Sequence, residues 1–152
     1  MIRKMLTRAT VTAAAAALLV TGAGVGAAQA HTASEAIQAG CGSGYSVVRD
    51  GTRNLVTTRG EIWGQVYLTY NSSTGYSCVV TRKTAFHGTS TKTLARLSVQ
   101  GSTVREDWAY YSHWAAVKSY ARGRCVAYWG DVRNPTGTDN AGGGRWTWGN
   151  CG

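Results

Sequence analysis

The sequence predicts an all-β domain, a small barrel or sandwich stapled by disulfides, and three observations carry that expectation. Twenty glycines stand against a single proline in 152 residues. Short runs of β-branched and aromatic residues are separated by Gly, Asn, Asp and Ser turn signals. Four cysteines, Cys41, Cys78, Cys125 and Cys151, occur in a chain that opens with an export signal, and an oxidising compartment pairs them.

That signal occupies residues 1–30. Arg3, Lys4 and Arg8 precede the apolar run ATVTAAAAALLV, and Ala28-Gln29-Ala30 is a small-x-small cleavage site. Basic, apolar and small-residue regions in that order form a secretory signal peptide, with an apolar core too short to span a bilayer. The mature chain is therefore expected to begin at His31. The Ala39-Gly40-Cys41 triplet resembles a lipidation signal. However, Gln38 stands where an aliphatic residue is needed, and acylation of Cys41 would strand a cysteine.

About 122 residues remain, one domain whose core needs reinforcement. Four cysteines allow three connectivities, and one staple for each half of the chain, Cys41–Cys78 and Cys125–Cys151, is the expected pairing. Residues 31–40 read as a mobile, Ala-rich lead-in to a single β domain over 41–152. Tyr45–Arg49 is a short strand ending at the turn dipeptide Asp50-Gly51, and Leu55–Thr58 is another extended piece. Val66–Thr84, VYLTYNSSTGYSCVVTRKT, reads as a hairpin with Asn71–Gly75 as its loop. That register sets Tyr70 opposite Tyr76, Leu68 opposite Cys78 and Val66 opposite Val80 on one buried face, which Ile62 extends. Tyr67, Thr69, Ser77, Val79 and Thr81 take the other face, and Trp63 joins Tyr67 there.

Leu94–Gln100 alternates as a strand, with Leu94, Arg96 and Ser98 opposed to Ala95, Leu97 and Val99. Residues 104–120 stay open between strand and helix. Thr103-x-x-Glu106 matches a capping box, and Val104, Trp108, Tyr111 and Ala115 fall at helical spacing, yet the residue types favour strand. Arg124–Trp129 reads as a strand, Gly130–Gly144 as a long loop, and Arg145–Trp148 as a final strand tied down by Cys151.

No catalytic motif stands out. The seven acids form no carboxylate pair suited to glycoside hydrolysis; Glu106 and Asp107 are adjacent but diverge on a strand. His31, at the new terminus, reads as disordered. His87 and His113 have no second histidine at ligand spacing, so neither a metal nor another cofactor is expected. Glu61 with His87 or His113 and an arginine is the one set a ribonuclease could use.

The aromatics are the stronger signal. Six are tryptophans, Trp63, Trp108, Trp114, Trp129, Trp146 and Trp148, more than a core of this size needs. Thirteen basic against seven acidic residues after Ala30 leave a net +6, and aromatics beside arginines suit recognition of a glycan, a wall polymer or a protein. Trp63, Tyr67, Arg145, Trp146 and Trp148 are the candidate binding residues.

CGSGYSVV (Cys41–Val48), the TYNSSTG loop with its Cys-Val-Val strand, GRCVAYWG (Gly123–Gly130) and the terminal GNCG (Gly149–Gly152) resemble the spore-associated protein A family, small exported proteins of filamentous actinobacteria. The resemblance covers nearly the whole mature chain, and the cysteines fall where the family's fall. It implies one extracellular all-β domain with two disulfides and tips 104–120 toward strand, although His113-Trp114-Ala115-Ala116 replaces the family's Gly-Pro break. It carries no catalytic residues. The expected function is therefore non-enzymatic association with a spore or cell surface through a cell-wall or spore-surface polymer. The alternatives are a secreted inhibitor or antagonist of another protein and, third, the ribonuclease. Neither a membrane nor a specific nucleic acid is an expected partner.

Overall fold

The computed structural model describes residues 29–152, so the expected signal peptide over 1–30, apart from Gln29 and Ala30, lies outside the described residues. One helix, α1 (Ala33–Cys41), precedes eight strands: β1 (Ser46–Val56), β2 (Ile62–Asn71), β3 (Tyr76–Lys83), β4 (Thr91–Val99), β5 (Arg105–Tyr111), β6 (Trp114–Tyr120), β7 (Val126–Arg133) and β8 (Asn140–Gly149). They form one antiparallel sheet in the order β5-β4-β7-β8-β1-β2-β3-β6, curled into a nearly closed barrel. The outermost strands, β5 and β6, are successive in the chain and meet at a tight link through Ser112 and His113. Across that seam Asp107 accepts from the Ala116 amide (3.2 Å), and within β5 it also accepts from the Tyr111 hydroxyl (2.6 Å). Residues 104–120 are thus two strands and not a helix. Their polar and aromatic side chains are poor helix formers, and Glu106 pairs with Arg96 (2.5 Å) and caps nothing.

The barrel interior holds Leu55, Trp63, Val66, Leu68, Val79, Ala95, Leu97, Val126, Tyr128 and Val132. Opposite walls touch because Gly130 has no side chain: a Cβ there would lie 2.5 Å from Thr81 Oγ1 and 2.9 Å from Val66 Cβ. One end of the interior is polar. Buried Lys83 donates from Nζ to Thr89 O (2.6 Å), Thr91 Oγ1 (2.6 Å) and Tyr111 O (2.9 Å), which matches each of its three protons to an acceptor.

A second core lies outside the barrel. There Ala36, Ile37 and Cys41 of α1 cover Tyr67, Cys78 and Val80, and the Cys41–Cys78 disulfide ties helix to strand. Residues 31–40, expected as a mobile lead-in, are therefore mostly this helix. Its start is a capping box: the Thr32 amide donates to Glu35 (2.6 Å), and the Glu35 amide donates to Thr32 Oγ1 (3.2 Å). Cys125–Cys151 is the other disulfide, so the pairing is one staple for each half, as expected.

The helix explains why the hairpin register differs from the expected one. The hairpin pairs Tyr70 with Ser77, Leu68 with Val79 and Val66 with Thr81, one residue from the expected match. Asn71 sets the turn. Its Oδ1 accepts from the Ser73 (3.0 Å) and Thr74 (3.2 Å) amides and its carbonyl from Gly75 (2.8 Å), so the strands close at Asn71 and Tyr76. Cys78 and Val80 consequently face α1, and Val79 enters the barrel. Two further boundaries differ from expectation. Asp50-Gly51 is a bulge inside one continuous β1, with Asp50 at φ 62°. The expected loop 130–144 shrinks to 134–139, because both β7 and β8 extend into it.

Candidate functional site

The outward face of β5, β4, β7 and β8 carries three of the exposed aromatic side chains, Trp108, Tyr110 and Trp146, while Tyr76 and Tyr120 pair with each other on β3 and β6. Strict alternation in β4 sends Thr91, Thr93, Ala95, Leu97 and Val99 inward and leaves Lys92, Leu94, Arg96 and Ser98 on the outside. Register then fixes their neighbours. Leu94 stands between Trp108 and Asp131, Arg96 between Glu106 and Trp129, and Lys92 opposite Tyr110. The face spans four strands, roughly 15 Å at about 4.8 Å per strand.

Glycines in β8 shape it. Trp129 pairs with Gly144 and Asp131 with Gly142. A Cβ on Gly144 would lie 2.9 Å from Trp129 Cε3, and one on Gly142 would lie 3.0 Å from Trp129 Cζ2. The Trp129 indole therefore lies across the bare β8 backbone, and Trp146 stacks on it (centroids 4.8 Å apart, rings inclined by 22°). This use of glycine is why Gly142-Gly143-Gly144 is strand where the sequence suggests loop.

Cations alternate with the rings. Arg96 lies over Trp146 at 5.2 Å, Arg133 over Trp108 at 5.6 Å, and Lys92 over both Trp108 (5.0 Å) and Tyr110 (5.6 Å). After these contacts Trp146 is still 58% exposed, Tyr110 67% and Trp108 39%. Beneath them Asp131 accepts from Asn140 Nδ2, while its Oδ1 has no partner among the described residues. Burial pushes the Asp131 carboxyl above the usual carboxylate range, against the opposing pull of Asn140 and Arg133.

Of the five candidate binding residues, one belongs to this face. Trp146 is at its centre. Trp63 and Tyr67, expected at a binding surface, are core residues at 8% and 4% exposure, one inside the barrel and one under α1. A bulge opposite Leu55 and Val56 turns Trp63 inward and Ile62 outward; the Trp63 carbonyl accepts from the amides of both Thr84 and Ala85. Arg145 is a tie at the barrel end. It donates to Val126 O (3.1 Å) and Asn150 Oδ1 (2.7 Å), lies 3.5 Å from Asp50, and stacks over Tyr128. Trp148 is 51% exposed but has no aromatic or cationic neighbour among the described residues. Trp108, Tyr110 and Trp129 were legible only as members of an excess of aromatics; their grouping needs the β4–β5 and β4–β7 registers.

An apolar depression of about 230 Å³ at the barrel mouth is lined by Val48, Leu68, Tyr70, Ala121 and Val126 beside Gly152, smaller than ordinary small-molecule sites. Of the ribonuclease set, Glu61 is engaged by Arg59 (3.2 Å) and His87 and His113 contact one another (3.1 Å), with no hydrogen bond between Glu61 and either histidine among the described residues.

Fold and surface together define a small disulfide-stapled β-barrel protein with an external helix and an aromatic, basic face. No family model and no solved structure matches it. The chain is 38% identical over 120 residues to spore-associated protein A of Streptomyces coelicolor, covering 78% of this chain and 73% of that one. It belongs to the spore-associated protein A family.

Proposed function

We propose that this is a non-enzymatic protein of the spore or cell surface that holds a wall polymer or glycan on the β5-β4-β7-β8 face. Its relative's name supports the location. The observation that supports the binding mode is the exposed series Trp108, Tyr110 and Trp146 on one rigid sheet face, with Lys92, Arg96 and Arg133 between the rings. Flat ring faces stack on the C–H faces of sugars, and the intervening cations and amides meet hydroxyl or carboxylate groups. Neighbouring rings on rigid strands lose little freedom on binding.

The test is co-sedimentation of the mature chain with peptidoglycan, chitin, cellulose and washed spores at low and high salt. Aromatic stacking predicts retention that survives high salt and falls roughly two- to tenfold in Trp146→Ala or Trp108→Ala. Retention abolished by salt would be charge alone, and no retention on any of these would refute the reading.

A further inference from the structure

Three histidines far apart in sequence meet at one end of the barrel. His31 lies just before α1, His87 in the β3–β4 loop and His113 in the β5–β6 link. One ligand atom from each lies within 4.8 Å of the others. His113 Nδ1 is 3.1 Å from His87 Nε2, and the His31 backbone nitrogen is 3.4 Å from the same atom. Nitrogens sharing a metal at about 2.0–2.1 Å stand roughly 3–4 Å apart, so these positions need only a small contraction to share an ion.

We propose that His31, His87 and His113 form a copper(II) site in the mature protein, with the α-amine of His31 as the fourth nitrogen. The export signal supplies that amine. Cleavage after Ala30 turns the His31 amide nitrogen, already beside His87 Nε2, into a primary amine. Amine and ring of one histidine then chelate a metal together, and His87 and His113 complete a four-nitrogen set.

Copper(II) is the ion this set favours. It prefers tetragonal nitrogen coordination and stands highest among divalent first-row metals. All four cysteines are in disulfides, so no thiolate diverts the site toward softer ions. His87 Nε2 lies within hydrogen-bond reach of both the His31 amide and the His113 ring, which places its lone pair toward the cluster; its other ring nitrogen is buried without a partner among the described residues.

The surroundings hold the ligands ready. Arg82 Nη1 donates to the His31 carbonyl (2.5 Å), and the capping box fixes the next residues. Glu35 lies 3.9 Å from His31 Nδ1, and Asp107 lines a depression beside His113. Trp114, Tyr111, Ser112 and Ala116 also line that depression, which opens the site to solvent.

The experiment exports the full precursor, reads its N-terminus by intact mass, strips metal with chelator and titrates copper(II) alone, with electron paramagnetic resonance of the product. One copper per chain in a field of nitrogens is expected. Affinity should fall at least about 100-fold in His87→Gln with His113→Gln, and likewise in the mature chain once the α-amine of His31 is acetylated. The acetylated chain keeps every side chain, so misfolding cannot explain its loss. Copper held equally well by the double variant or by the acetylated chain would overturn the site. So would an exported chain that does not begin at His31, or one that binds no stoichiometric copper.

Discussion

Lys83 is the residue at which the barrel interior is most finely balanced. Its ammonium is buried, and burial pulls it from 10.5 down to about 8, while three acceptors hold the charged form in place at neutral pH. Between about pH 8 and pH 10 the unfolded chain keeps a proton that the folded chain has released, so stability should rise with pH across that window. The slope is at most about 1.4 kcal/mol per pH unit. Above pH 10 the raised hydroxyl of Tyr128 works in the opposite direction. Urea unfolding at pH 7.5 and 9.5 should show the rise in the native chain and none in Lys83→Met; equal pH responses would mean that Lys83 is not buried. Nothing in the sequence singles out this lysine, since TRKT at the end of a strand reads as a solvated terminus. Only the return of β4 and β5 over it makes it internal.

At the scale of single elements, α1 is the most exposed to test. Its cap is Thr32 with Glu35, and Thr32→Ala should cost about 1 kcal/mol. Opening Cys41–Cys78 by a double Cys→Ala change should cost roughly 2–4 kcal/mol. Limited proteolysis checks both: cleavage should begin within 33–41 while the β-sheet circular dichroism persists. If the barrel melted together with the helix, the two cores would be one cooperative unit. The same helix marks where the sequence stops being legible. The β4 alternation was readable to the residue, because one face is buried and the other wet. In β3, by contrast, α1 buries the outer face as well, so Val79 and Val80 are both core and alternation cannot choose the register. The four-residue turn built on Asn71 decides it. Thr32-x-x-Glu35 was as plain a capping signature as Thr103-x-x-Glu106, but it stood in a short Ala-rich segment with no apolar stripe of its own. What gives it a partner is a disulfide to a strand 37 residues away.

At the scale of the whole molecule, the tryptophans divide between two jobs, and composition could not apportion them. Trp63 fills the barrel against Phe86 (5.0 Å, rings at 82°), while Trp146 lies outside on Trp129. The division rests on the closeness of the barrel walls. Gly130 lets β7 press on Thr81 and Val66, and that contact keeps Trp129 and Asp131 level with the β4 face on the other side of the strand. Gly130→Ala should therefore destabilise by about 1–3 kcal/mol through overpacking. Trp63→Ala should cost about 3–5 kcal/mol through the cavity it leaves, whereas Trp146→Ala, more than half exposed, should change stability by well under 1 kcal/mol. Denaturation midpoints and polymer retention measured on the same three variants separate the roles. The expected pattern is low stability with normal retention below the transition for Trp63→Ala, and normal stability with weakened retention for Trp146→Ala. A Trp146→Ala chain that unfolded as early as Trp63→Ala would make the outer stack a second structural core, and the β5-β4-β7-β8 face would lose its claim to be a recognition surface.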